Sequence, residues 1–373
     1  MSADVRHIVG SLLIRPGATP AIRCERPMVG ATLMRRLIDG RPASALPDAI
    51  AALFTLCAST QRQTAQRALR AARGDVDRDD DARALDRLAL SVFTAREHLQ
   101  RLALELPLMV PRDGVPIDAA GVRDAPVFRL PSQPDKLALT QAVGALGPWL
   151  QQHLLGMAPE RWLNGWQQDA PTWLAAWAER QAHPVARWLT AVRDQARALT
   201  IECRRLDALD DAQAGMAALA ASLAESPAFA ERPLWRGAPA ETGPWTRAGH
   251  VEAVHTLWDR LGARLADLLR IACGERLACG ALALAPGEGV AWSEMSRGLL
   301  VHWVKLAPGA RSAGGTHAER YQVLAPTEWN FHPDGALGRA LASGRIDAAG
   351  ARLATAVLDP CVAFHIETEA GHA

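Results

Sequence analysis

The sequence predicts a predominantly helical α+β fold, laid out as a single domain over residues 1–373. Three observations carry that expectation. Apolar residues recur at three- and four-residue spacing through most of the chain up to Ala272, the signature of amphipathic helices. Tryptophans at 162/166 and 173/177 are four residues apart, which puts each pair on one helix face. The last third changes to short β-prone runs, so a small sheet component joins a long helical core.

Taken in order, residues 5–15 read as a strand with Ile8, Val9, Leu12, Leu13 and Ile14, and Pro16-Gly17 supplies a hairpin turn. From Met28 the pattern is helical through Leu33, Leu37 and Ile38, ending at Gly40. The next helix is expected from about Pro47-Asp48 to Arg73, with Ile50, Leu53, Phe54 and Cys57 on one face, which turns Cys57 inward. An acidic break at 75–81 precedes a helix from about Ala82 to Leu106, stopped by Pro107. Residues 107–136 hold six prolines and read as an irregular excursion. The tryptophans from Trp149 to Trp188 fit core packing, because a stacking platform for bases comes with a basic groove that this stretch lacks. Residues 184–226 continue as helix to Ser226-Pro227. A loop at 231–245, a helix from Ala248 to Ala272, strands Leu299–Leu306 and Tyr321–Leu324 and a short helix Gly335–Ala342 complete the series.

Composition narrows the function classes. With 41 Lys+Arg against 40 Asp+Glu, the charge balance calls for neither nucleic acid nor an anionic membrane. Six cysteines without a C-x-x-C pair fit reduced thiols, and the apolar run Ile8–Ile14 is too short for a membrane span or a signal peptide, so the expected location is the cytoplasm.

The most informative stretch is Asp359-Pro360-Cys361-Val362-Ala363-Phe364-His365-Ile366-Glu367. A D-P-C-x-x-C-x-x-H ending would offer two thiolates and an imidazole to a soft metal; here only Cys361 remains, with Phe364 and Glu367 in the other places. By itself Cys57 reads as a buried helix thiol and Arg297 as a structural ion-pair residue. If the segment after Cys361 is helical, His365 shares its face and a thiolate–imidazole pair results, though no orienting carboxylate or oxyanion-hole motif accompanies it. Asp359 reads equally as a helix cap or as a group orienting Arg297 or the thiolate, and Glu294 as another such group. Cys24, Cys203, Cys273 and Cys279 read as packing residues, and His302 and His317 as structural or surface residues.

Several segments together resemble the large subunit of nickel–iron hydrogenases. Gly40-Arg41 followed by Phe54-Thr55-Leu56-Cys57 and Gln61 is similar to G-R and R-x-C-G-x-C-x-x-x-H, with Phe54 and Gln61 replacing the first cysteine and the histidine. Gly243-Pro244-Trp245-Thr246-Arg247 is similar to V-G-P-L-A-R. Glu294-Met295-Ser296-Arg297-Gly298 with His302-Trp303 is similar to E-x-P-R-G-x-x-x-H-W, and Tyr321-Gln322 with Pro326-Thr327-Glu328-Trp329-Asn330 to Y-Q-x-x-x-P-T-x-W-N. Asp359-Pro360-Cys361 closes the series in the family's order. The likeness is clearest over 28–70, 236–273 and 291–367.

That resemblance implies a large-subunit-like fold in which Cys57 holds a bridging position and Cys361 a nickel-only position, while Phe54 and Phe364 replace the other two thiolates. It also implies that Arg297 faces cyanide ligands on iron. A hydrogenase-like chain with half of its thiolates replaced resembles the HupK/HoxV family of hydrogenase assembly proteins. The implied function is a non-catalytic scaffold that transiently carries an Fe(CN)2(CO) unit, without nickel, among HypC- and HypD-type maturation proteins and the hydrogenase large subunit. The alternatives are a large-subunit mimic that carries no metal and a cysteine-dependent or residual hydrogenase enzyme. With Glu367 at the terminal histidine position, no C-terminal processing is expected.

Overall fold

The structure, a computed structural model, describes residues 10–25, 31–75, 80–247, 255–308 and 316–367. Strands β1 (Ser11–Ile14) and β2 (Ile22–Glu25) form the expected antiparallel hairpin, with Ile14 opposite Ile22. The reading of residues 5–9 as strand lies outside the described residues, as does Met28. Helix α1 (Ala31–Ile38) follows, and Gly40 takes the left-handed conformation, φ 69°, expected of a residue just past a helix end.

The single helix expected from Pro47 to Arg73 is two helices. Helix α2 (Leu46–Leu53) ends at Phe54 (φ −97°, ψ 65°), a short turn covers Thr55–Cys57, and α3 (Ala58–Ala72) leaves at 103° to the preceding segment. Phe54 and Thr55 are weak helix formers, and the bend lets both Phe54 and Cys57 be buried; periodicity does not register such a break.

Helix α4 (Asp80–Gln100) passes through a π turn at Arg101–Glu105 into α5 (Leu106–Met109). Pro107 does not end the helix because it sits in the first turn of α5, where a missing N–H costs little. The proline-rich excursion holds a short α-helix, α6 (Ala119–Arg123), capped by Asp118, and a 3-10 turn at Pro126–Phe128. Helices α7 (Lys136–Leu150), α8 (Pro159–Gln168), α9 (Ala170–Arg180), α10 (Pro184–Ala198) and α11 (Ala212–Glu225) come next. The pattern read as continuous helix over 184–226 is thus split by a connection at 199–211. Trp162 stacks on Trp166 at 5.6 Å and meets Trp177 edge-on at 5.9 Å, all three buried, which is the expected core role.

Helix α12 (Leu257–Ala272) starts at Thr256, whose hydroxyl accepts from the Asp259 N–H while the Asp259 carboxylate accepts from the Thr256 N–H. Its expected start near Ala248 lies outside the described residues. Nearly every side chain of α12 is buried, including Arg260, Arg264 and Asp267, because α4, α7, α8, α9 and α10 surround it.

Four strands follow: β3 (Cys279–Ala285), β4 (Glu288–Met295), β5 (Gly298–Leu306) and β6 (Ala318–Leu324), antiparallel in that order. The first two went unpredicted because alanine, with little strand preference, fills alternate positions of β3, and Gly, Ala, Ser and two Glu interrupt the β-prone Val290 and Trp292 of β4. Helix α3 packs on one face of this sheet and α11 on the other. The approach of α3 requires Gly289: a Cβ there would stand 2.4 Å from the Ala72 nitrogen. Helices α13 (Pro326–Asn330), α14 (Ala336–Ala342) and α15 (Ala348–Leu358) lead to β7 (Ala363–Ile366). Strand β7 pairs in parallel with β1, Leu12 opposite Phe364, so the two ends of the described chain share a sheet in the order β2-β1-β7. Among the described residues no single helix is long and apolar enough to cross a membrane.

Candidate functional site

Cys57 stands at the N-cap of α3, at the 103° bend, and is 4% exposed. Burial pushes its thiol up to about 12; Glu97 and Cys361 add to the rise, while Arg297 and the Gln61 side chain oppose it. Gln61, one turn along, donates to the Cys57 sulfur at 3.6 Å. The Gln61 Oε1 stands 2.8 Å from His302 Nε2, and His302 Nδ1 stands 2.7 Å from the Tyr321 hydroxyl. Burial lowers His302 to about 3, so the ring is neutral, and one tautomer satisfies the chain: Tyr321 O–H donates to Nδ1 and Nε2–H donates to Gln61. His302 is therefore structural, as one of its two expected roles had it, and it fixes the amide that faces Cys57.

Cys361 follows α15 through Asp359-Pro360. Its N–H donates to Thr327 Oγ1 at 3.0 Å, and the Thr327 hydroxyl donates back to its sulfur at 3.0 Å. Thr327 stands in the first turn of α13, just after Pro326, so the P-T segment fixes this cysteine through both backbone and sulfur.

Arg297 lies at the β4–β5 turn and interacts electrostatically with both cysteines. Its Nη1 donates to Glu97 at 3.0 Å and its Nε lies 3.2 Å from Asp359. Ser296 also donates to Glu97. Burial raises the Glu97 carboxyl, and Arg297 and Ser296 work against that rise. The turn closes tightly because Gly298 adopts φ 125°, where a Cβ would strike Thr242 at 2.6 Å.

Asp359 joins these parts. It is the C-cap of α15 in the left-handed conformation, φ 59°, and is 2% exposed. Arg101 from the π turn lies 3.1 Å away, Arg264 from α12 3.1 Å and Arg297 3.2 Å. Burial opposes its charge, but these three guanidiniums outweigh burial and hold the carboxyl at about 2. Neither Asp359 oxygen has an aligned hydrogen-bond donor, and Arg297 Nε and Arg264 Nη2 lack an aligned acceptor among the described residues. The contacts are ionic, and donor capacity remains beside the thiols.

Sequence reading placed Cys57, Arg297 and Cys361 at the site, and the structure brings the three together. Both readings of Asp359 describe what is found: it caps a helix, as the C-cap of α15, and it contacts Arg297. Glu294 pairs with Arg247 at 3.5 Å, and no contact with Arg297 is found among the described residues. The pairing of Cys361 with His365 fails, because β7 is a strand in which His365 is exposed. Cys24 and Cys273 are exposed instead of packed; Cys203 and Cys279 are half-buried against the core. Glu97, Arg101 and Arg264 were missed, and Gln61 and Thr327 were read only as motif positions. Two signals pointed to them: a glutamate toward the core side of α4, and arginine and aspartate on the otherwise apolar face of α12. Among the described residues no three His, Cys, Asp or Glu side chains are placed to hold a metal ion together.

No protein-family profile matches the chain. It is 38% identical to the hydrogenase expression/formation protein HoxV of Cupriavidus necator, over 96% of each chain. It is 31% identical to the hydrogenase expression/formation protein HupV of Azotobacter chroococcum, over 92% of this chain and 93% of that one. Against HupK of Azotobacter vinelandii the figure is 30%, over the same shares. Among solved structures, an NAD+-reducing NiFe-hydrogenase in the H2-reduced state aligns over 91% of this chain and 92% of that one, with a TM-score of 0.47 and 14% identity.

Two outcomes follow from the cluster. Asp359→Asn leaves three buried guanidiniums short of a counter-charge and lowers unfolding stability by about 3–5 kcal/mol in urea titrations; a loss under about 1 kcal/mol contradicts the ionic hub. His302 is neutral when folded but takes a proton near pH 6.5 when unfolded, so the unfolded state binds the extra proton in between. Its contribution to stability is complete above about 6.5 and falls as pH drops toward about 3. Stability measured from pH 7 to 4 declines, and His302→Gln makes the decline shallower; an unchanged slope contradicts the assignment.

Proposed function

Since the chain belongs to the family of hydrogenase expression/formation proteins that includes HoxV, HupV and HupK, we propose that it serves hydrogenase maturation as a scaffold without turnover. Its cargo is an Fe(CN)2(CO) unit, held by Cys57 and Cys361 until it passes to the hydrogenase large subunit. The observation that supports this most directly is a pair of buried or half-buried thiols with one carboxylate-clamped guanidinium interacting with both.

The chemistry of the residues fits such a cargo. Thiolates are soft donors suited to iron carrying strong-field ligands. Cys57 is a neutral thiol in the fold, so ligation releases its proton and a metal cation takes over as the neutralising charge. Arg297 is oriented by Glu97 through Nη1 and by Asp359 through Nε, so its Nη2 donors are the ones these carboxylates leave for a cyanide nitrogen. Two protein ligands give a grip that a competing four-thiolate site overcomes, which suits transfer. Nickel has no complete thiolate set here and is not part of the cargo. The setting is the cytoplasm, and the partners are HypC- and HypD-type maturation proteins and the large subunit.

A second reading is favoured by the 4% exposure of Cys57: the chain mimics the large subunit and engages maturation proteins without metal. Infrared spectroscopy separates the two. Protein purified anaerobically from cells expressing the maturation proteins is expected to show cyanide and carbonyl stretches that vanish in Cys57→Ala and Cys361→Ala. An iron-free, infrared-silent protein, with Cys361→Ala still supporting maturation that gene deletion abolishes, gives the mimic.

A further inference from the structure

Strand β3 is the outer strand of its sheet, paired on one side only by β4. Its register fixes which backbone groups are used. The Glu294 N–H donates to Ala278 O, so the inward pairs of this antiparallel ladder fall at 278, 280 and 282. The N–H and C=O groups of Cys279, Ala281 and Ala283 therefore face away from β4, and no described residue pairs with them. The residues whose backbone faces outward, Cys279, Ala281 and Ala283, carry small side chains, leaving room for a second backbone beside them.

Charge is distributed unevenly along the edge. A cavity of about 220 Å³ lies against Cys279–Ala281 and is lined by Arg67, Arg70, Arg83 and Arg87 against Asp75 and Asp86. Arg67 and Arg70 both engage Asp86, at 3.2 and 3.5 Å, while exposed Arg87 has no ion-pair partner among the described residues. A second cavity, of about 700 Å³, continues the concave surface past Ala283–Gly287, with exposed Arg73 on its wall and Lys305 there paired with Glu319 at 3.5 Å. An open edge with cationic borders repels basic segments and favours acidic ones.

We propose that the outer edge of β3 is a docking site for an extended acidic segment of a partner protein, which adds to the sheet as a fifth strand. Backbone hydrogen bonds to Cys279, Ala281 and Ala283 supply affinity, and carboxylates spaced two residues apart reach the arginine border. This inference does not depend on the thiol site or its cargo.

The test uses the full chain and a synthetic peptide of alternating glutamate and valine, followed by fluorescence anisotropy and amide hydrogen exchange. The peptide is expected to bind, to protect the amides of Cys279, Ala281 and Ala283 while leaving Gly280 and Leu282 unchanged, and to lose affinity with added salt. Ala281→Pro removes one outward N–H without touching the inward ladder, and Arg87→Glu reverses one border charge; each weakens binding by about tenfold or more. Equal binding of a lysine–valine peptide, or failure of the Glu-Val peptide to protect those amides, overturns the proposal. So does a concentration-dependent dimer that disappears in Ala281→Pro with no peptide binding, since the edge then pairs copies of this chain. Should Ala281→Pro lose its fold by circular dichroism, Arg87→Glu and the exchange pattern decide.

Discussion

One buried carboxylate organises the site. Asp359 draws guanidiniums from the π turn after α4, from α12 and from the β4–β5 turn, parts of the chain far apart in sequence. Three cations taken out of water are unfavourable unless opposed, and here Asp359, Glu97 and Glu105 supply three carboxylates against Arg101, Arg264 and Arg297. The left-handed backbone at Asp359 follows from the same demand: α15 must end there and turn its carboxylate inward while Pro360-Cys361 leaves toward Thr327. Position of the second thiol is thus tied to the charge balance of the helical core.

The first thiol is fixed by different means. The bend at Phe54 sets Cys57 at the start of α3, Gly289 lets α3 lie close on the sheet, and the Gln61–His302–Tyr321 chain reaches it through β5 and β6. Sheet and helical core each hold one thiol, and Arg297 at the sheet's β4–β5 turn interacts with both.

Much of this was legible in the sequence, for identifiable reasons. Cys57, Arg297 and Cys361 stood out because they sit within ordered motifs, and the hairpin and tryptophan packing follow from local patterns. What escaped is non-local or weakly coded. The π turn lets a helix run past Pro107, the bend at Phe54 leaves apolar spacing intact, and β3 repeats alanine, which has little strand preference, at every other position. Glu97 and Thr327 gain meaning only when α4 and α13 are seen beside the cysteines. His365 was misjudged because pairing with Cys361 assumed a helix where β1 draws the chain into a strand.

In the proposed scaffold, the two thiols act as one ligand pair toward iron. X-ray absorption at the iron edge of the anaerobically loaded protein tests that claim most directly. It predicts two sulfur neighbours per iron together with linear diatomic ligands, falling to one sulfur in either cysteine variant that retains iron. Iron with no sulfur neighbour, or with a four-sulfur shell, would contradict it.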